Sequence, residues 1–221
     1  MRSKQWVIGM VVAVLVAALS IGVGFALSTG GAVATRVASG SRSSGGGAMM
    51  GGAVDGSSAT GGGSTITAGD LSLLVSRDER GATVDAAANT VTYSGHAVSL
   101  VALASPHGKP NMTWEIDGLV NPTISVTPGA RVTVVLVNTD WGYMHGFELT
   151  TTSPPYPKMA MADIADDFFL MPLPPRTEKD TRTASYHTRT ASFTSAVGVY
   201  HYLCPVPGHA AAGMFGTFVV S

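Results

Sequence analysis

The chain has 221 residues, 45% of them apolar, a formal net charge of −1 at pH 7 and a single cysteine. That length suits one domain with extensions and that apolar share fills a core, while the near-zero charge excludes general electrostatic binding to nucleic acid. One cysteine excludes an intrachain disulfide and leaves a free thiol, a nucleophile or a metal ligand.

Residues 1–27 read as a membrane anchor or signal segment. Within them, 6–27 (WVIGMVVAVLVAALSIGVGFAL) carries no charge and follows Arg2 and Lys4. The run is long enough for a hydrocarbon core of about 30 Å and exceeds a signal-peptide apolar region of about 7–15 residues. A retained transmembrane helix is therefore expected, with cleavage near GFA or ALS as the alternative. The basic residues ahead of the run hold that end in the cytoplasm, so the rest lies on the extracytoplasmic side.

Residues 28–69 form a Gly/Ser/Ala tract without periodicity. Such a tract cannot bury enough apolar surface to offset its ordering entropy. It is expected to be a flexible tether, with a root-mean-square reach of roughly 35 Å for about 40 residues.

Residues 70–221 read as the folded domain. A short helix is expected at Leu71–Arg77. TVTYSGHAVSLVAL (90–103) reads as a strand pair turning near Ser94 and Gly95, and MTWEIDG (112–118) as a further strand. PTISV, TPGA and RVTVVLVNT give period-two alternation around a Pro-Gly turn, with Thr133, Val135 and Val137 on one face and Val132, Val134 and Leu136 on the other. MHGFELTT (144–151) is a strand, 152–180 is irregular and proline-rich, and VGVYHYLC and GTFVVS close the chain as two strands. Short strands without a long helical period predict an all-β, Greek-key sandwich or barrel.

The loop joining those last two strands, YHYLCPVPGHAAAGMFG, holds Cys204, His209 and Met214. Thiolate and imidazole suit the trigonal plane of a mononuclear copper electron-transfer site, and a thioether its weak axial position. A second imidazole is offered by His145, at a strand start in DWGYMHGFEL. Cys204 ends a strand, Pro205 and Pro207 fix φ on the way out, and the Pro-Gly turn sends His209 back toward the same point. Taken singly, a lone cysteine is usually a small buried hydrophobe, Met214 core packing and His209 a turn residue. In this order, between two strands and with His145 upstream, they point to one copper ion. His96, His107, His187 and His201 have no such context and read as structural or surface residues. His201 shares a strand with Cys204 but, three residues away, faces the other side.

These segments resemble the cupredoxins, most closely their rusticyanin branch and more loosely the membrane-anchored sulfocyanins. The resemblance spans roughly 83–221 and rests on TVTYSG, NPTISVTPGARVTVVLVNT, SPPYPKM and above all YHYLCPVPGHAAAGMFGTFVV. It implies type 1 copper held by His145, Cys204, His209 and Met214, and a one-electron carrier outside the cytoplasm. Its partners would be a cytochrome or a terminal oxidase. The chain departs from the rusticyanin pattern at Asp140, where that branch has asparagine, and at Gly146, where it has serine after the first ligand. A buried, ionised Asp140 would favour Cu(II).

Of the two imidazoles, His209 is the expected electron port, ringed by Pro205, Pro207, Ala210, Ala211 and Phe215. Copper oxidases and nitrite reductases use His-x-His pairs and a binuclear centre needs two cysteines; the sequence has neither. A copper chaperone and a metal-free adhesion sandwich are the other rivals. A monomeric carrier, not an enzyme, is expected.

Overall fold

A computed structural model describes residues 63–78, 81–160 and 168–221. The anchor read at 1–27 and all but the end of the tether read at 28–69 lie outside the described residues. Among the described residues, no helix is long and apolar enough to cross a membrane.

Strand β1 (Ser64–Thr67) leads directly into helix α1 (Ala68–Asp78). Thr67 Oγ1 accepts from the Asp70 amide at 3.2 Å, and Asp70 Oδ2 accepts from the Thr67 amide at 3.1 Å. This reciprocal pair satisfies two amides that the first helical turn leaves without partners. The helix thus begins ahead of Leu71, and β1, inside the stretch read as tether, pairs with the sheet.

Strands β2 (Thr83–Asp85), β3 (Thr90–Tyr93), β4 (Ala97–Ala104), β5 (Trp114–Ile116), β6 (Leu119–Val120), β7 (Thr123–Val126) and β8 (Arg131–Asn138) follow. After them come β9 (His145–Thr150), β10 (Phe168–Leu173), β11 (Ser185–Thr194), β12 (Gly198–Leu203) and β13 (Phe215–Val220). They form a six-stranded sheet, β1-β11-β8-β4-β5-β6, and a seven-stranded sheet, β10-β9-β12-β13-β7-β3-β2. Both are mixed: β4 runs parallel to β8, and β7 runs parallel to β3 and β13.

The strands expected around Ser94-Gly95 and around the Pro-Gly turn both form, but neither pair is a hairpin. β3 and β7 lie in one sheet, β4 and β8 in the other. Each of these turns carries the chain across the sandwich. A two-residue hairpin does form at β5–β6, where Asp117 and Gly118 take φ of 48° and 78°. Two successive positive φ values are what a two-residue type I′ turn requires.

The inner faces meet in a core of Val132, Val134, Leu136, Trp114, Phe147, Tyr202 and Phe218, each at most 1% exposed. Phe147 stacks on Tyr202 with centroids 5.7 Å apart and stands edge-on to Trp114 at 5.4 Å. The alternation of β8 is as expected: Val137, with Val101, Leu103, Ala184 and Tyr186, faces outward beneath Leu71, Leu74 and Val75 of α1. A third cluster, Tyr156, Ala160, Leu203 and Ala210, packs behind the β12–β13 loop. The irregular stretch contains β10, and β11, the longest strand, bridges β1 and β8.

Candidate metal centre

His145 is the first residue of β9, Cys204 directly follows β12, and His209 and Met214 lie on the loop to β13. β9 and β12 are neighbours, with Tyr202 opposite Leu149 and Leu203 opposite Glu148, so their ends bring His145 beside Cys204. The loop folds on itself. Cys204 N donates to Met214 O at 3.1 Å, Met214 N to His209 O at 3.0 Å and His209 N to Val206 O at 3.1 Å. Gly208 and Gly213 take φ of 86° and 105°, which only glycine adopts without strain. Asn121 Nδ2, from the β6–β7 connection, donates to Gly213 O at 3.0 Å and thereby holds the approach to Met214.

Three of the four sequence-predicted donors converge. His209 Nδ1 lies 3.2 Å from His145 Nδ1 and 3.4 Å from Cys204 Sγ, and His145 Nδ1 lies 3.7 Å from that sulfur. Bonds of about 2.0–2.1 Å to nitrogen and about 2.3 Å to sulfur around one first-row ion would set trigonal donors about 3.5–3.8 Å apart. The triangle is slightly tighter than that, so the residues present fit a single ion. This is the sole group of metal-ligating histidine, cysteine and carboxylate side chains brought together among the described residues. Met214 is fully buried in the same core cluster as Cys204.

Burial pushes the Cys204 thiol up to about 12, reinforced by the charge of Glu148 and opposed by backbone hydrogen bonds from Val206 and Gly146. Burial, and then the neighbouring His145, drive His209 down to about 4. Burial also lowers His145, against the raising effect of Asp140. Without a metal the site is therefore a thiol and two neutral imidazoles, and loading it must release the thiol proton. Burial alone would raise the Asp140 carboxyl, but amides of Gly142 and Tyr143 and the His145 ring hold it below its usual range. His145 Nε2 lies 3.0 Å from Asp140 Oδ2, within hydrogen-bonding distance.

Several residues that position the site had no signal in the sequence reading. Asn138, fully buried at the end of β8, donates through Nδ2 to the carbonyls of Tyr143, Leu173 and Pro174. Buried Arg176 donates to the carbonyls of Thr139, Glu178 and Lys179. Glu148 is fully buried on β9, on the face opposite Phe147. A polar residue closing a hydrophobic strand, as Asn138 does, was the available hint.

The other histidines stay apart from the cluster: His96 and His107 are exposed, and His187 and His201 half-buried. The ring around His209 differs from the expected one. Pro205 and Ala210 are buried, and Phe215 packs edge-on against Tyr156, while Pro207 and Ala211 are exposed. Exposed Tyr143, from the loop before His145, stands against the His209 ring, and Trp141 and Met144 of the same loop are exposed as well. Gly146 has a steric reason: a Cβ there would lie 2.9 Å from Leu170 O, 3.0 Å from Pro205 Cγ and 3.1 Å from Pro172 Cγ.

No protein-family model matches the chain. A rusticyanin of Acidithiobacillus ferrooxidans is 37% identical over 133 residues, 60% of this chain and 67% of that protein. The rusticyanin of Acidithiobacillus ferridurans is 36% identical over 133 residues with the same coverage. Another Acidithiobacillus ferrooxidans rusticyanin is 35% identical over 136 residues, 61% of this chain and 83% of that one. Among solved structures, rusticyanin from Thiobacillus ferrooxidans superposes with a TM-score of 0.63 at 31% identity, over 76% of this chain and all of that one. Reduced rusticyanin superposes with a TM-score of 0.61 at 32% identity, covering 72% and 99% of the respective chains. With the convergent His145, Cys204 and His209 and the two-sheet fold, these likenesses show that the chain belongs to the rusticyanin family of cupredoxin-like blue copper proteins.

Proposed function

We propose that the protein is a one-electron carrier between extracytoplasmic respiratory partners, a cytochrome or the copper entry site of a terminal oxidase. His145, Cys204, His209 and Met214 would hold its copper. The observation that carries this reading is the buried donor triangle, closed on sides of 3.2–3.7 Å by two neighbouring strands and one short loop. Copper supplies a Cu(I)/Cu(II) couple that soft sulfur and imidazole ligands both tolerate.

The chain's own residues supply the rest. The backbone amides of Val206 and Gly146 point at Cys204 Sγ and stabilise its charge once the thiol proton has gone. The loop's internal hydrogen bonds resist movement of His209 and Met214, so little reorganisation accompanies a change of charge. His209, 6% exposed, is the one of the three donors that reaches the surface, and its small apolar rim suits a weak, transient redox encounter. We assign residues 1–27 as the membrane anchor and the stretch from 28 up to β1 as the tether of a monomeric copper domain on the extracytoplasmic side.

Reductive titration of the copper-loaded full chain tests this. One electron per copper, fully recovered on mixing with an oxidising c-type cytochrome, is expected; turnover of the metal with loss of copper would favour a chaperone.

A further inference from the structure

Asp140 is fixed by the chain on three sides. Its Oδ1 accepts from the amides of Gly142 at 2.7 Å and Tyr143 at 3.3 Å. Its own amide donates to Asn138 Oδ1 at 3.0 Å, and its carbonyl accepts from the Arg176 amide at 2.8 Å. What remains is Oδ2, and that oxygen sits 3.0 Å from His145 Nε2. The opposite edge of the same imidazole, Nδ1, faces Cys204 Sγ and His209 Nδ1 at 3.7 and 3.2 Å.

An ionised carboxylate only accepts hydrogen bonds, so the proton of this ring must sit on Nε2 and the lone pair on Nδ1. An asparagine could not replace it on both sides. Its one oxygen would serve either the two loop amides or the histidine, and its NH₂ would then meet a donor. Only a side chain with two acceptor oxygens holds the loop and the imidazole together.

We propose that Asp140 is a positioning residue that locks His145 in the Nε2–H tautomer, presents Nδ1 to the copper, and sets the metal's redox preference through its negative charge one imidazole away. The proposal rests on the copper reading above. The carboxylate raises the basicity of the ring and favours the more highly charged Cu(II), so Asp140 lowers the reduction potential relative to a neutral side chain. Partners of this kind typically change metal affinity 10- to 100-fold, and about 59 mV accompanies each tenfold change in the Cu(II)-to-Cu(I) affinity ratio of a one-electron couple.

The test uses the full chain with Asp140→Asn and Asp140→Ala. Potential is read by spectroelectrochemical titration, and the His145 tautomer by long-range ¹H–¹⁵N correlation in the metal-free and Cu(I) forms. A Nε2–H tautomer in the unsubstituted protein, tautomer mixing in metal-free Asp140→Ala and a potential raised by about 59 mV or more in both variants are expected. A potential unchanged in Asp140→Asn, or an Nδ1–H tautomer in the unsubstituted metal-free protein, overturns the proposal. Reduced thermal stability with both readouts unmoved also overturns it, since that is a structural role alone. If the unsubstituted protein forms no copper–thiolate absorption band, the copper reading fails instead, and the metal-free tautomer still decides whether Asp140 orients the ring.

Discussion

The Tyr143 ring stands edge-on to the His209 imidazole, with centroids 5.9 Å apart and planes at 84°. Tyr143 is 55% exposed, and Trp141 and Met144 beside it are exposed as well. Its backbone is tied down from both ends, by its amide to Asp140 and by its carbonyl to Asn138. Its backbone is anchored, and its exposed ring rests on the one donor that approaches solvent.

Tyr143→Ala is expected to slow electron exchange at that surface. An aromatic contact contributes about 0.5–1.5 kcal/mol, so exchange between copies, or with a cytochrome, should fall about two- to tenfold. Stopped-flow mixing or NMR line broadening in mixed oxidation states measures it. The potential and the visible spectrum should not change. An unaltered rate would remove Tyr143 from the encounter surface.

Tyr202 and Gly216 face each other across β12 and β13, and a Cβ on Gly216 would lie 2.2 Å from Tyr202 Oη. That hydroxyl donates to Pro122 O at 2.6 Å, tying β12 to the loop before β7. Gly216→Ala must displace a fully buried ring, at about 1–3 kcal/mol. Thermal melting of the metal-free protein should drop accordingly, and an unchanged melting temperature would show that the ring relaxes freely.

Gly146→Ser places a side chain against Leu170 O, Pro172 and Pro205. Loss of about 1–3 kcal/mol of stability is expected from this crowding. The Gly146 amide also points at Cys204 Sγ, so the copper–thiolate absorption should shift. Absorption spectra and denaturant titration of the same variant read both effects.

The metal-free protein should lose stability in both directions of pH. His209 falls from 6.5 unfolded to about 4 folded, so the unfolded chain binds the extra proton first and stability declines from about pH 6.5 toward 4. Cys204 rises from 9.0 to about 12, so above about pH 9 the unfolded thiol ionises first and stability declines again. Urea midpoints across pH 4–11 measure this, and a flat profile would contradict the burial of these groups.

The site was more legible than the sheets around it. Cys204, His209 and Met214 lie close in sequence on a loop whose Pro-Gly turn and flanking strands show locally, and the alternation of β8 separates its two faces without reference to a partner. Strand β10 lay hidden because Pro172 and neighbouring prolines interrupt any strand pattern there. Strand β11 is rich in Thr and Ser, and its pairing with β8 supplies what its apolar content does not. The sequence shows the turns at Ser94-Gly95 and at the Pro-Gly but not that each crosses between sheets, because local alternation reports a strand's faces and not its neighbour. Asn138, Arg176 and Tyr202 act on backbone carbonyls, and such partners are visible only after the chain has folded.

Adding Cu(II) to the purified full chain, alongside Cys204→Ser, tests the central claim most directly. The account predicts one copper per chain, an intense visible copper–thiolate band in the unsubstituted protein, and no such band in the variant. Copper binding without that band, or a band that persists in Cys204→Ser, would contradict it.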